Sequence, residues 1–155
     1  MDEVGGNDAA LASSALRERE REAGRRPIVR LRPTIAADLP HVIGEPLPFR
    51  IRAITMLVDN RVVGLGGIAF PPHSPVIAFV QQTGEARKYP VAFHRAGLLA
   101  MRMVRDSGLR HIVATTARDS PRAIRWIERL GFARAAVQPL PEKWLYEWTR
   151  EPTND

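Results

Sequence analysis

Cysteine is absent from all 155 residues, which excludes disulfides, a thiol nucleophile and thiolate metal sites. Lysine is nearly absent too: Lys88 and Lys143 are the only two, so the basic residues are almost all arginine. Aromatic residues make up only 6%, so a core has to rest mainly on aliphatic packing. No apolar run approaches the roughly 20 residues of a membrane-spanning helix, and no membrane partner is expected. The first residues are acidic and polar, without the basic start and apolar stretch of a secretory signal. These absences read as a cytoplasmic chain. His41, His73, His94 and His111 share no ligand spacing, so no metal site is expected. Neither a Gly-x-Ser-x-Gly elbow nor a paired-carboxylate arrangement occurs.

What is present fits one globular domain. The chain is long enough to bury a core, with 45% hydrophobic and 26% charged residues. The net charge is +6. Arginine suits phosphate and carboxylate recognition through its planar fork, and it is also what a GC-rich genome supplies. Helix-turn-helix, zinc-finger and basic-aromatic RNA signatures are missing, so nucleic acid is not the expected partner. An acidic small molecule would be drawn to such a surface.

Residues 1–26 differ from the rest. Ala9 to Gly24 reads as a short helix of alternating Arg and Glu, with Arg17–Glu20, Glu18–Arg21 and Arg19–Glu22 as pairs three apart. Its apolar content is mostly alanine plus Leu11 and Leu16. Residues 1–26 therefore form either a solvated leader, helical or disordered, or a docking arm for a protein partner. Residues 27–155 carry the domain.

In that domain the elements follow closely. Ile28–Leu31 reads as a strand, and Thr34–Ile43 as a short helix capped by Thr34. Ile51–Val58 and Val62–Phe70 form a hairpin about Asp59-Asn60. Val76–Gln81 is a short apolar strand of the kind buried in a sheet centre. Pro90–Ser107 is a long helix stopped at Gly108, and His111–Thr116 is a strand. Ser120-Pro-Arg-Ala-Ile-Arg-Trp-Ile-Glu-Arg-Leu-Gly131-Phe132 is a helix with Pro121 in its first turn and a left-handed stop at Gly131. Ala123, Ile124, Ile127 and Leu130 give it one apolar face, with Arg122, Arg125 and Arg129 on the other side. Phe132–Gln138 and Lys143–Thr149 are the closing strands.

The helix ending in Gly131-Phe132 resembles the end of the GNAT acetyltransferase domain, Asn-x-x-Ala-x-x-x-Tyr-x-x-x-Gly-Phe. Ala123, Gly131 and Phe132 match it, Ser120 stands at the asparagine position and Ile127 at the tyrosine position. Asp59-Asn-Arg-Val-Val-Gly64 looks like the family's Gly-x-x-Val-Gly hairpin. The order β-α-β-β-β-α-β-α-β-β over residues 28–149 is that of the family. The resemblance implies an α/β (α+β) fold with a mixed central sheet of about six or seven strands flanked by helices. It also implies a V-shaped gap between the fourth and fifth strands. The family usually places two helices between its first two strands; about 18 residues here leave room for one, so the acceptor side is expected to be either open or completed by a partner.

The resemblance implies acetyl-CoA as cofactor and an amine as acceptor. The family holds the cofactor on a Gln/Arg-x-x-Gly-x-Gly/Ala turn before the long helix, where helix N–H groups meet the pyrophosphate. Gln81-Gln-Thr-Gly84-Glu-Ala86 matches its letters, whereas Arg87-Lys-Tyr-Pro90-Val-Ala92 matches its distance from Gly108 and is preferred. The implied cofactor-binding residues are Phe79, Val80, Gln81, Arg87, Lys88, Tyr89, Pro90, Val91, Ala92 and Ser120. Ser120 is also the one catalytic candidate. Ile127 cannot serve as the acid that protonates a leaving thiolate.

Two functions follow. One is an N-acyltransferase moving an acetyl or acyl group from coenzyme A to an amine, with a divergent site. The other is a catalytically degenerate member serving as a binding or structural part. Arg87-Lys-Tyr-Pro-Val-Ala-Phe-His and Arg125-Trp-Ile-Glu-Arg-Leu-Gly-Phe132 look like short acetyltransferase-like proteins of tailed phages. That likeness implies a virion-associated component under the second reading.

Overall fold

A computed structural model describes residues 7–152. Helix α1 (Asn7–Ala23) precedes strand β1 (Val29–Pro33). From Leu11 to Ala23 every α1 residue except Ser13 is exposed, Leu11 and Leu16 included, as expected of a helix with too little apolar surface to bury. Strands β2 (Arg50–Val58), β3 (Arg61–Phe70) and β4 (Ile77–Gln82) come next, followed by helix α2 (Pro90–Asp106) and strand β5 (His111–Ala117). Helix α3 (Pro121–Arg129), strand β6 (Ala133–Arg134) and strand β7 (Lys143–Thr149) complete the chain.

The strands form one mixed seven-stranded sheet in the order β1-β2-β3-β4-β5-β7-β6. All neighbours are antiparallel except β4 and β5, which are parallel and pair only at Ile77↔Val113. The Val113 N–H donates to the Val76 carbonyl at 3.0 Å, and beyond this point the two strands diverge. The mixed α/β sheet and the V-shaped gap are therefore as expected. One expectation is met in part: β4 stands at the centre of the strand order, but it is not buried. Its first residues are half-buried and Val80 to Gln82 are exposed, because its β5-facing edge has no ladder partner there.

Local chemistry sets the boundaries. Asp59 and Asn60 both take positive φ, 48° and 63°, which is the turn that matches strand twist in a two-residue hairpin. Gly131 has φ 96°; its N–H donates to the Glu128 carbonyl and the Phe132 N–H to that of Ile127. This double bond pattern closes α3, and Phe132 turns inward at 5% exposure. The main core brings Met101 and Val104 of α2 and Ile127 and Leu130 of α3 onto Ile112, Tyr146 and Trp148 of the sheet. Both helices thus share one sheet face.

Two further expectations are corrected. The region Thr34–Ile43 is a 3-10 turn over Ala36–His41, not an α-helix, and Thr34 is not its cap. The Thr34 hydroxyl pairs with that of Thr55 at 2.8 Å, and Asp38 accepts from the Ile35 N–H at 3.0 Å. The strand expected at Phe132–Gln138 shrinks to Ala133–Arg134. Gln138 folds back instead: its side chain accepts from the Leu145 N–H and also donates to the Leu145 carbonyl, which still accepts from the Ala135 N–H at 3.0 Å, so only half of the next backbone rung forms.

Asp38 anchors the far face of the sheet. It is 3% exposed and meets Arg32 through two bonds of 2.6 and 2.8 Å, besides the Ile35 N–H and the Thr55 hydroxyl at 2.8 Å. Chiefly the Arg32 guanidinium, with the Ile35 and Thr55 donors, holds its carboxyl down at about 2 against desolvation. A lowered carboxyl pKa stabilises above the unfolded value and is lost as pH falls through the folded one. Arg32 faces water, which screens the pair, so about 1–2 kcal/mol should vanish between roughly pH 4 and pH 2. Asp38→Ala strands the Thr55 and Ile35 donors and should cost about 2–3 kcal/mol, lowering Tm by roughly 5–10 °C. Calorimetric melts of both chains from pH 7 to pH 2 check this; a variant melting with wild type throughout would remove Asp38 from the stability argument.

Candidate functional site

The divergence of β4 from β5 opens a cleft of about 870 Å³, floored by α2 and α3. Each wall follows from local sequence. Beyond Ile77 the β4 edge is unpaired, so Phe79, Val80 and Gln82 meet the cleft. On the opposite wall, Thr115 and Thr116 of β5 follow its last contact with β4. Gly66 and Gly67 of β3 add no side chain to the base.

The start of α2 coincides with one of the two turn registers. A separate 3-10 turn occupies Gly84–Lys88, and the helix begins at Pro90, the register counted back from Gly108. Tyr89 holds the N-cap position without a side-chain cap, and Pro90 contributes no N–H. The Phe93 N–H makes the first helical bond, to the Tyr89 carbonyl at 2.9 Å. Val91 and Ala92 are left with first-turn N–H groups that have no intrahelical acceptor.

The residues expected at the cofactor site divide. Phe79, Val80, Arg87, Pro90 and Ser120 line the cleft together. Gln81 does not; Gln82, on the same strand face as Val80, lines it instead. Lys88 and Val91 are exposed away from it. Tyr89 and Ala92 pack instead against a second core cluster of Met56, Val58, Val63 and Ala86. Ser120 sits at the head of α3 with no side-chain capping bond, so its hydroxyl is free for the cleft. Ile127 is 7% exposed and serves the core, as an aliphatic residue there would. Glu85, a loop carboxylate near the turn, is engaged by Arg61 at 2.8 Å.

Several lining residues escaped the sequence reading. Arg122, Arg125 and Arg129, seen as a stripe on one side of α3, border the cleft together with Arg87. No Asp or Glu lines it among the described residues. Four arginines without a carboxylate among the described lining give this wall a positive charge. Phe93, His94 and Trp126 line it as well. The signal for His94 was there: with Pro90, Gly97 and Met101 it falls at helical spacing on one face of α2. Among the described residues no cluster of three or more His, Asp or Glu could hold a metal. No described helix is long and apolar enough to cross a membrane.

No family model matches the sequence, and no curated protein matches it. Solved structures do match by shape. One is the ribosomal-protein-S18-alanine N-acetyltransferase of Escherichia coli, with a TM-score of 0.62 at 11% identity over 82% of this chain and 98% of that one. Another is an N-acetyltransferase from Staphylococcus aureus Mu50, with a TM-score of 0.62 at 12% identity over 79% of this chain and 98% of that one. A third is a Desulfovibrio desulfuricans protein assigned to the GNAT family as an acetyltransferase, with a TM-score of 0.59 at 14% identity over 79% and 99%. At these identities the likeness establishes the fold: the chain has the GNAT acetyltransferase architecture.

Proposed function

We propose that this chain binds acyl-coenzyme A in the cleft between β4 and β5 and transfers the acyl group to an amine. The observation that carries the reading is the cleft where the two strands part, lined by arginines and by no carboxylate among the described residues. The fit is chemical. Coenzyme A is a polyanion with a long amide-bearing arm. Arg87, Arg122, Arg125 and Arg129 would hold its phosphates. The unpaired edge of β4 beyond Ile77 would offer main-chain donors and acceptors to the arm.

Bound there, the cofactor supplies a thioester whose acyl carbon an amine can attack. What the protein adds is mainly position: a rigid notch that brings amine and thioester together lowers the barrier without a strong acid. Ile127 gives no proton to a leaving thiolate, and no carboxylate of the described lining takes one from the amine. The hydroxyls of Ser120, Thr115 and Thr116 are the groups that would orient a water for proton exchange.

Calorimetric titration with acetyl-coenzyme A should give one site per chain with a micromolar-range Kd. Thiol release with an added amine panel should then report turnover. No heat at millimolar acetyl-coenzyme A would overturn the reading and leave the fold as a binding part. Binding without thiol release would separate cofactor recognition from catalysis.

A further inference from the structure

Two buried polar atoms have no hydrogen-bond partner among the described residues: His94 Nδ1 on α2 and Trp126 Nε1 on α3. Both side chains line the cleft. The packing that brings Trp126 there is specific. Gly97 makes room for its ring, since a Cβ at that position would lie 2.8 Å from Trp126 Cζ2. Phe93 holds the ring from the side, with centroids 5.0 Å apart and planes tilted by 42°. The indole N–H is thus fixed in place rather than left to swing towards water.

Buried donors in folded proteins are almost always paired, and a stranded one calls for an explanation. An indole N–H only donates, so its missing partner is an acceptor. His94 Nδ1 donates to the same kind of group when it carries the ring proton. The surrounding wall carries four arginines and no carboxylate among its described lining, and none of its hydroxyl or carbonyl oxygens pairs with either ring nitrogen. We infer that His94 and Trp126 are ligand-binding residues, whose ring nitrogens pair with an acceptor oxygen of the molecule held in the cleft. This rests on the acyl-coenzyme A reading for the identity of that molecule. Its acceptor oxygens come from two sources, the phosphates and the amide carbonyls of the arm.

The indole resonances of the full-length, 15N-labelled chain test this. Trp126→Phe keeps an aromatic ring against Phe93 and Gly97 while deleting the N–H, so it identifies the Trp126 signal. Adding coenzyme A to the wild-type chain should move that signal downfield more than those of Trp144 and Trp148. Trp126→Phe and His94→Leu should each bind coenzyme A about 5- to 20-fold more weakly, with Tm close to wild type. Pyrophosphate and pantetheine, added separately, tell the two sources apart by which one moves the Trp126 signal. Coenzyme A binding equally well to wild type and both variants, with the Trp126 signal unmoved, overturns the inference. If wild type does not bind coenzyme A, the cofactor reading fails by itself. A Trp126 shift with pyrophosphate or pantetheine then still supports the site, and no shift with either overturns it.

Discussion

Gly67→Ala should be the most destabilising single-methyl change in this protein, costing about 3–5 kcal/mol. Gly67 lies on β3, opposite Ala53 of β2 and Phe79 of β4. An added Cβ would run into the Arg52 carbonyl oxygen and stand 2.5 Å from the Ala53 Cα. These are backbone atoms, which no rotamer change can move. Nor can β3 retreat, because it is held by ladders on both sides. The strands must separate, which breaks the sheet beside the point where the cleft opens. For a chain of this length Tm should fall by roughly 10–15 °C. Gly44→Ala and Gly84→Ala are the matched controls, since nothing lies within 4 Å of a Cβ at either position. Both should stay within about 0.5 kcal/mol of wild type. Urea melts decide it; a Gly67→Ala chain as stable as the controls would mean that the strands approach less closely there.

Charge reversal on the cleft wall should have the largest effect on ligand binding. Arg87→Glu with Arg122→Glu changes the wall by four charge units while touching exposed side chains only. At about 0.7–1 kcal/mol per unit against a polyanion, coenzyme A affinity should fall by roughly 100- to 1,000-fold. The loss should shrink in high salt, because water-facing charges are screened over about 10 Å at 0.1 M. Fold stability should hold, as neither arginine is in the core. Arg19→Glu with Arg21→Glu on α1 makes the same charge change on an exposed helix outside the cleft and should leave affinity nearly unchanged. A double cleft variant that binds within threefold of wild type would remove the arginine wall from the binding argument.

Legibility in the sequence differed by element for physical reasons. The hairpin about Asp59-Asn60 and the stops at Gly108 and Gly131 were readable because left-handed backbone selects its residues locally. The face of α3 was readable because helical period sorts Ile127 and Leu130 from the arginines. The 3-10 turn at Ala36–His41 was not, because Thr34 pairs with Thr55 instead of capping it, and Asp38, which accepts from the Ile35 N–H at the start of the turn, is also tied to Arg32 and Thr55 across the chain. Strand β6 was overextended for a related reason: the Gln138 side chain takes the Leu145 N–H that another full rung would have used. At the cleft, Phe79, Val80, Arg87, Pro90 and Ser120 lie where a strand gives way to a helix, a place that a sequence pattern can locate. Tyr89 and Ala92 went instead to the core, because Pro90 starts the helix and helical geometry turns them towards Val63 and Ala86.

By itself the sequence determined the element order, the turns and the apolar faces, because backbone stereochemistry and periodicity act over a few residues. It also determined that the positions of Ser120 and Ile127 lack the family's asparagine and tyrosine. Tertiary structure alone decided where the sheet parts, since that depends on β4 and β5 meeting only at Ile77 and Val113. It also decided that the α3 arginines border a cleft rather than face open water alone, and that His94 and Trp126 line that same cleft. Those are relations between elements far apart in the chain, fixed by packing and invisible to any local pattern.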